Sequence, residues 1–294
     1  MSPLRLVTRG SALALTQSRG VAARLEALHA GLRVELTVLK SEGDQQTDAA
    51  LSAVGGQGLF TKVLEEALQR GEGDLAVHSL KDLPTQLAPG LVLAAVSERE
   101  DWRDAWISPH AASPWELPQG ALVGTGSLRR RAQLQRRRSD LHFAELRGNV
   151  DTRLRKIAAG EVQGAVLALA GLNRLGLQAQ VRHIFSEEEM LPAPGQGFLG
   201  LETRDHGLGL ELCRALNVPQ AFAEAACERA LLARLEAGCH APVAGLARTL
   251  GLEMHLKAFV ALGPGQPVLA ERRGLASDPE ALAWALADEM LAGR

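Results

Sequence analysis

Tyrosine is absent from this 294-residue chain, and aromatic residues together make up only 3% of it. Stacking platforms for nucleic-acid bases are therefore scarce, and a formal net charge of −2 argues the same way. Cysteine is nearly absent: Cys213, Cys227 and Cys239 are scattered and show no C-x-x-C spacing, which excludes a disulfide framework and a cysteine-rich metal site. No apolar run approaches the ~18 residues of a membrane span. The opening MSPLRLVTRG has no apolar stretch of the signal-peptide kind, so the expectation is a cytoplasmic protein away from membranes. Lysine is also rare, with Lys40, Lys62, Lys81, Lys156 and Lys257 the only ones among 32 basic residues. A GC-rich genome alone produces that bias, so the arginine count by itself assigns nothing.

A hydrophobic fraction of 46% with 22% charged residues is ordinary for a globular protein. The length exceeds the ~100–200 residues of one domain and predicts two or three. LRLVT (4–8) reads as a strand, Ser11 as the N-cap of a helix over ALALTQSRGVAARLEAL, and RVELTVLK (33–40) as a second strand. GLFTKVLEEALQR (58–70) carries apolar residues at helical spacing; DLAVHSL and LVLAAV follow as strands. Alternation of this kind predicts βαβ units and largely parallel sheets. The charged SEREDWRD (97–104) reads as a crossover, after which strand and helix alternate again through GAVLALA. LPAPGQG (191–197) reads as a second connection. From Pro219 the pattern becomes helix, alternating strands and a final helix, a small α+β domain.

Within GTGSLRRRAQLQRRR (124–138), six arginines would surround a helix instead of lining one stripe, unlike a helix laid in a nucleic-acid groove. Arg129 and Arg130 fall in the first turn beside backbone amides suited to an anion. Arg136, Arg137 and Arg138 fall at the C-terminal end, where the expectation is a solvated face. VTRGS (7–11) repeats the strand, arginine, serine and helix-start arrangement, and Arg147, Arg153 and Arg155 follow in LRGNVDTRLRK. AVHSLKDLP sets His78, Lys81 and Asp82 straight after an apolar strand; a salt-bridged surface turn and a functional acid–base pair are both open readings. Cys239, in the turn AGCHAP beside His240, is open to three readings, a plain loop thiol, a nucleophile or an attachment point, whereas Cys213 and Cys227 sit in helical patterns.

Taken together, LVTRGSALALTQ, GGQGLFTKVLEEAL, LAVHSLKDLPT, GTGSLRRRAQL, LRGNVDTRLRK, LALAGLNRLGL, LPAPGQGFLGLE and LEAGCHAPV resemble the porphobilinogen deaminase (hydroxymethylbilane synthase) family, in its order and over most of the chain. The resemblance implies a transferase of tetrapyrrole (haem) biosynthesis that joins four porphobilinogen molecules head to tail with loss of ammonia to give hydroxymethylbilane. It implies a covalent dipyrromethane, one per chain, held by a thioether to Cys239. The implied fold is α/β: two periplasmic-binding-protein-like domains with mostly parallel sheets around a cleft, plus a small C-terminal α+β domain. The corresponding boundaries are 1–98 with 197–215, then 102–191, then 218–294.

By the same resemblance Asp82 is the catalytic carboxylate. Cys239, Lys81, Asp82, Ser127, Arg129, Arg130 and Arg153 hold the cofactor, and Arg9, Ser11, Phe60, Arg147, Arg153, Arg174 and Gln196 hold substrate. The acetate and propionate of each pyrrole unit suit arginine's charge-assisted forks. No metal and no nucleic-acid partner is implied, and the family suggests a monomer. Two positions depart from the family, which often has Lys at Gln57 and Ser at Gly126, so this chain lacks that cation and that hydroxyl. A secreted substrate-binding protein shares the two-lobed fold; it would need a signal peptide and no cysteine-bearing third domain. A nucleic-acid binder would rest on RRRAQLQRRR alone.

Overall fold

A computed structural model of the chain describes residues 3–39, 58–238, 240–263 and 265–292, with backbone alone for 58–60. Gln57 and Cys239 lie outside the described residues, as does the Phe60 side chain. The chain forms two compact units, 1–99 with 198–222 and 100–197 with 223–294.

In the first unit, β1 (Leu4–Arg9) leads to α1 (Ala12–Leu28), then β2 (Val34–Leu39), α2 (Gly58–Gln69), β3 (Leu75–Ser79) and β4 (Leu91–Val96). As expected, Ser11 caps α1, accepting from Ala14 N at 3.3 Å. The first three residues of β3 are apolar on both faces because both are covered. Leu75 and Val77 join Val21, Ala22 and Leu25 of α1, while Ala76 packs with Leu64, Ala67 and Leu68 of α2. In the second unit come β5 (Asp104–Ile107), β6 (Leu122–Gly124), α3 (Leu128–Arg137), β7 (His142–Ala144), α4 (Val150–Ala158), β8 (Gly164–Ala168), α5 (Leu169–Arg174) and β9 (His183–Ile184). The chain returns to the first unit for β10 (Leu199–Arg204) and α6 (Leu208–Cys213).

The two five-stranded sheets share one plan. Their orders are β2-β1-β3-β10-β4 and β7-β6-β8-β5-β9. In each, the second, first and third parallel strands are followed by one reversed strand and then a fourth parallel one. The reversed strand comes after the rest of its sheet in one case (β10) and before it in the other (β5). Periodicity alone missed both: SEREDWRD reads as a crossover, yet its last residue, Asp104, begins β5. In the second sheet Gly164 is required, because a Cβ there would collide with Trp106, which is fully buried on β5.

The chain then runs through α7 (Pro219–Arg234), whose first four residues fall in the first unit and the rest in the second, to β11 (Val243–Leu250), β12 (Glu253–Val260), β13 (Val268–Leu275) and α8 (Pro279–Ala292) of the second unit. The strands form an antiparallel meander in the order β11-β12-β13, against which Cys227, Leu231, Leu282, Leu286 and Met290 pack. β11 was not foreseen as a strand. On the meander's other face, Ala244, Leu246 and Phe259 pack with Leu191 and Trp102. Glu228 of α7, fully buried, ties this part to the 191–197 connection, accepting from Gly195 N at 2.6 Å and Ala247 N at 2.8 Å.

Candidate active site

In the second unit, Ser127 caps α3, its hydroxyl accepting from Arg130 N at 3.4 Å. Two side chains of that helix's first turn, Arg129 and Arg130, are buried, while Leu128 and Arg131 are exposed. Arg129 and Arg130 are 3% and 7% exposed and converge on Asp104, which is fully buried. Arg129 Nη1 donates to Asp104 Oδ2 at 2.7 Å and to Leu191 O at 2.6 Å, and Arg130 Nη2 donates to Asp104 Oδ1 at 2.8 Å. Gln196, 1% exposed, donates to the same Oδ1 at 3.0 Å and to Trp102 O at 2.7 Å. Burial pushes the Asp104 carboxyl up, but the two guanidiniums more than offset it and hold it far below the usual carboxylate range. Burial lowers Arg129, with Asp104 opposing. One carboxylate against two guanidiniums leaves an excess of positive charge at a helix N-terminus, a donor set whose chemistry suits a further carboxylate.

The other arginines divide. Arg147 donates to Glu145 Oε1 at 2.7 Å in an exposed pair. Arg153 is half-buried on α4, whose N-cap Asn149 accepts from Thr152 N at 2.9 Å. Gly148 enters that cap at φ +106°, the left-handed region glycine tolerates. Arg174, at the end of α5, donates to Gly197 O at 2.6 Å; burial lowers its pKa and Glu100 partly restores it. At the end of α3 the expected solvated face holds for Arg136 and Arg137, which are exposed, and fails at Arg138, which is half-buried. Arg138 donates to the carbonyls of Pro114, Trp115, Leu117 and Pro118 and to Asp140, and Arg137 donates to Glu188 O at 2.6 Å.

In the first unit, β3 runs into a 3-10 turn, Leu80–Asp82, that presents a half-buried Lys81 and an exposed Asp82 at the strand's C-terminal end. Ligand groups gather at such ends in α/β sheets. Arg9 ends β1 and Ser11 starts α1 in the same unit. Behind the turn lie groups that sequence reasoning passed over: Glu202 of β10, Glu65 of α2 and Gln17 of α1. Each is remote in sequence from His78 and Ser79 and becomes their neighbour only through sheet pairing and helix packing. Asp104 was missed for the same reason, being hidden in a run that reads as charged and solvent-facing.

Two of the three thiols, Cys213 and Cys227, are buried. Burial pushes Cys213 up to about 12 and, together with the nearby Glu228 and Glu224 charges, pushes Cys227 up as well. Among the described residues no group of His, Cys, Asp and Glu could hold a metal ion, and no helix is long and apolar enough to cross a membrane.

The family model described as porphobilinogen deaminase, dipyromethane cofactor binding domain, matches residues 4–210, and that of the porphobilinogen deaminase C-terminal domain matches residues 222–292. A porphobilinogen deaminase of Campylobacter concisus (strain 13826) is 47% identical over 92% of this chain and 88% of its own length. That of Campylobacter curvus (strain 525.92) is 46% identical over 99% and 95%. Among solved structures, a nutrient-binding protein from Burkholderia cenocepacia bound to methionine is similar at a TM-score of 0.45 and 14% identity, covering 79% of this chain and 95% of that one. With both family models matched in order and near-half identity along almost its whole length, the chain belongs to the porphobilinogen deaminase family.

Proposed function

We propose that this chain joins four porphobilinogen molecules head to tail into hydroxymethylbilane, with Asp82 as its catalytic carboxylate and Cys239 as the anchor of a dipyrromethane. The observation that carries the site is the pairing of two nearly buried guanidiniums, Arg129 and Arg130, with a single carboxylate at a capped helix N-terminus. Acetate and propionate groups are the counter-anions such a site lacks. Ser127, Lys81 and Arg153 complete the cofactor set in this reading. Arg9, Ser11, Phe60, Arg147, Arg174 and Gln196, with Arg153 again, take the substrate's carboxylates and ring; Arg147 would exchange Glu145 for a substrate carboxylate, and Gln196 would act from behind Asp104.

When bound, the dipyrromethane supplies the pyrrole end to which the first unit is joined. The chain's own residues handle charge and protons. In each condensation the aminomethyl C–N bond breaks and its protonated nitrogen leaves as ammonia. The methylene carbon then bonds the free α-carbon of the preceding pyrrole, which gives up its ring proton. An exposed carboxylate at Asp82 stabilises the cationic azafulvene left by ammonia and accepts the ring proton afterwards. Cys239 is favoured as anchor because the other two thiols are held protonated by burial.

The α+β segment from 218 onward is read as a third domain, supported by its own apolar core and its separate family match. A cytoplasmic monomer without nucleic-acid partners completes the proposal, in keeping with the net charge of −2. The test is turnover of porphobilinogen by the purified chain and by Asp82→Asn. The variant is expected to keep its cofactor and lose about 10²–10⁴ in kcat; near-normal kcat would overturn the role of Asp82.

A further inference from the structure

The end of β3 is held from three directions. His78, 6% exposed on the α2 face of the strand, brings Nε2 to 2.9 Å from Glu202 Oε2 on the reversed strand β10, and Glu202 is fully buried. On the opposite face, Ser79 accepts from Gln17 Nε2 of α1 at 2.9 Å. Along the ladder, Leu80 N donates to Phe198 O at 3.0 Å. Lys81 and Asp82 are the next two residues.

The polar pair is costly where it lies. The layer between this face of β3 and α2 is otherwise built from an apolar cluster that includes Val7, Leu64, Ala67, Leu68 and Ala76, and an apolar residue in place of the pair would not desolvate a carboxylate. Glu65 of α2 adds to the cost: burial pushes its carboxyl up, as does the Glu202 charge, against the Ala88 backbone N–H and His78, with Glu66 a further small repulsion. Glu202 Oε1 is buried and makes no hydrogen bond among the described residues. Two acids thus face one imidazole, and among the described residues the hydrogen bond to that imidazole is the one Glu202 makes from its own side chain. A directional bond delivers something apolar packing does not: it fixes where the strand end sits.

We propose that His78 and Glu202 are positioning residues for Asp82, their buried hydrogen bond setting the end of β3 so that the Lys81–Asp82 turn holds its carboxylate against the reacting substrate. This rests on the reading of Asp82 given above. Glu202→Leu removes the acceptor and Glu202→Gln keeps an acceptor oxygen of nearly the same shape. Since the first risks not folding, His78→Phe, which removes the ring nitrogens, is measured beside it. In folded Glu202→Leu or His78→Phe, kcat is expected to fall by about tenfold or more while KM stays within about threefold. The intact mass should still show the bound pyrrole units, and Glu202→Gln should restore kcat to within about threefold of the parent. Unchanged kcat in a folded variant, a loss carried by KM, or a Gln variant as slow as the Leu variant would overturn the proposal. The Asp82→Asn variant keeps the two readings apart. If it turns over normally, the role of Asp82 fails; if it is inactive while the Glu202 and His78 variants are normal, only the positioning fails.

Discussion

Asp104 Oδ2 lies 2.7 Å from Arg129 Nη1, and its other oxygen lies 2.8 Å from Arg130 Nη2, with all three side chains almost entirely out of solvent. Asp104→Asn keeps the shape and removes the counter-charge, leaving two buried cations facing a neutral amide. Loss of about 3–5 kcal/mol is expected. The folded-state pKa of Asp104 is depressed, so its contribution is complete above the ordinary carboxylate value near ~4 and fades as pH falls below it. Urea denaturation of parent and variant at a series of pH values should show a wide gap at neutral pH that narrows in acid.

Glu65 predicts the opposite sign. Its folded-state pKa is raised, so ionising it costs more in the folded protein than in the unfolded chain. That cost is absent in acid, where the carboxyl is protonated in both states, and grows as pH rises through the raised value. Glu65→Gln should therefore melt higher than the parent at pH 8 and no higher at pH 4; equal melting temperatures at pH 8 would contradict the assignment.

Arg138 clamps a turn instead of meeting a ligand. Its guanidinium donates to Leu117 O at 3.0 Å and Trp115 O at 3.1 Å and pairs with Asp140 at 2.7 Å. Arg138→Met should lower Tm by roughly 2–4 °C, as expected for about 1 kcal/mol in a chain of this size, and leave kcat unchanged. A selective loss of turnover would show that the whole arginine stretch serves the ligand.

Thiol reactivity gives an independent check. With Cys213 pushed up to about 12 by burial and Cys227 raised as well, neither should react with iodoacetamide in the native protein at pH 7.5. Both should be alkylated in denaturant, as read by peptide mapping. Rapid native labelling of either would remove the argument that singles out Cys239.

What the sequence made legible was local. Ser11, Ser127 and the helix at Pro219 could be placed because a cap or a first-turn proline is decided by its immediate neighbours. The reversed strands β5 and β10 could not, because each is defined by partners far along the chain: Ala105 pairs with Leu167, and Gly200 with His78. The same limit hid Asp104. Its partners, Arg129 and Arg130, read as ligand-binding cations, but nothing in SEREDWRD distinguishes a carboxylate that will be fully buried from its more accessible neighbours Glu98, Glu100 and Asp101. At the far end of the stretch, the arginine pattern fitted a solvated face, and only the carbonyls gathered around Arg138 revealed otherwise.

The most direct measurement is the intact mass of the purified protein beside a Cys239→Ser control. An excess corresponding to two linked pyrrole units in the parent and none in the control is the predicted result. If the parent carries no such excess, even after incubation with porphobilinogen, and forms no hydroxymethylbilane, the proposed reaction and its anchor are contradicted.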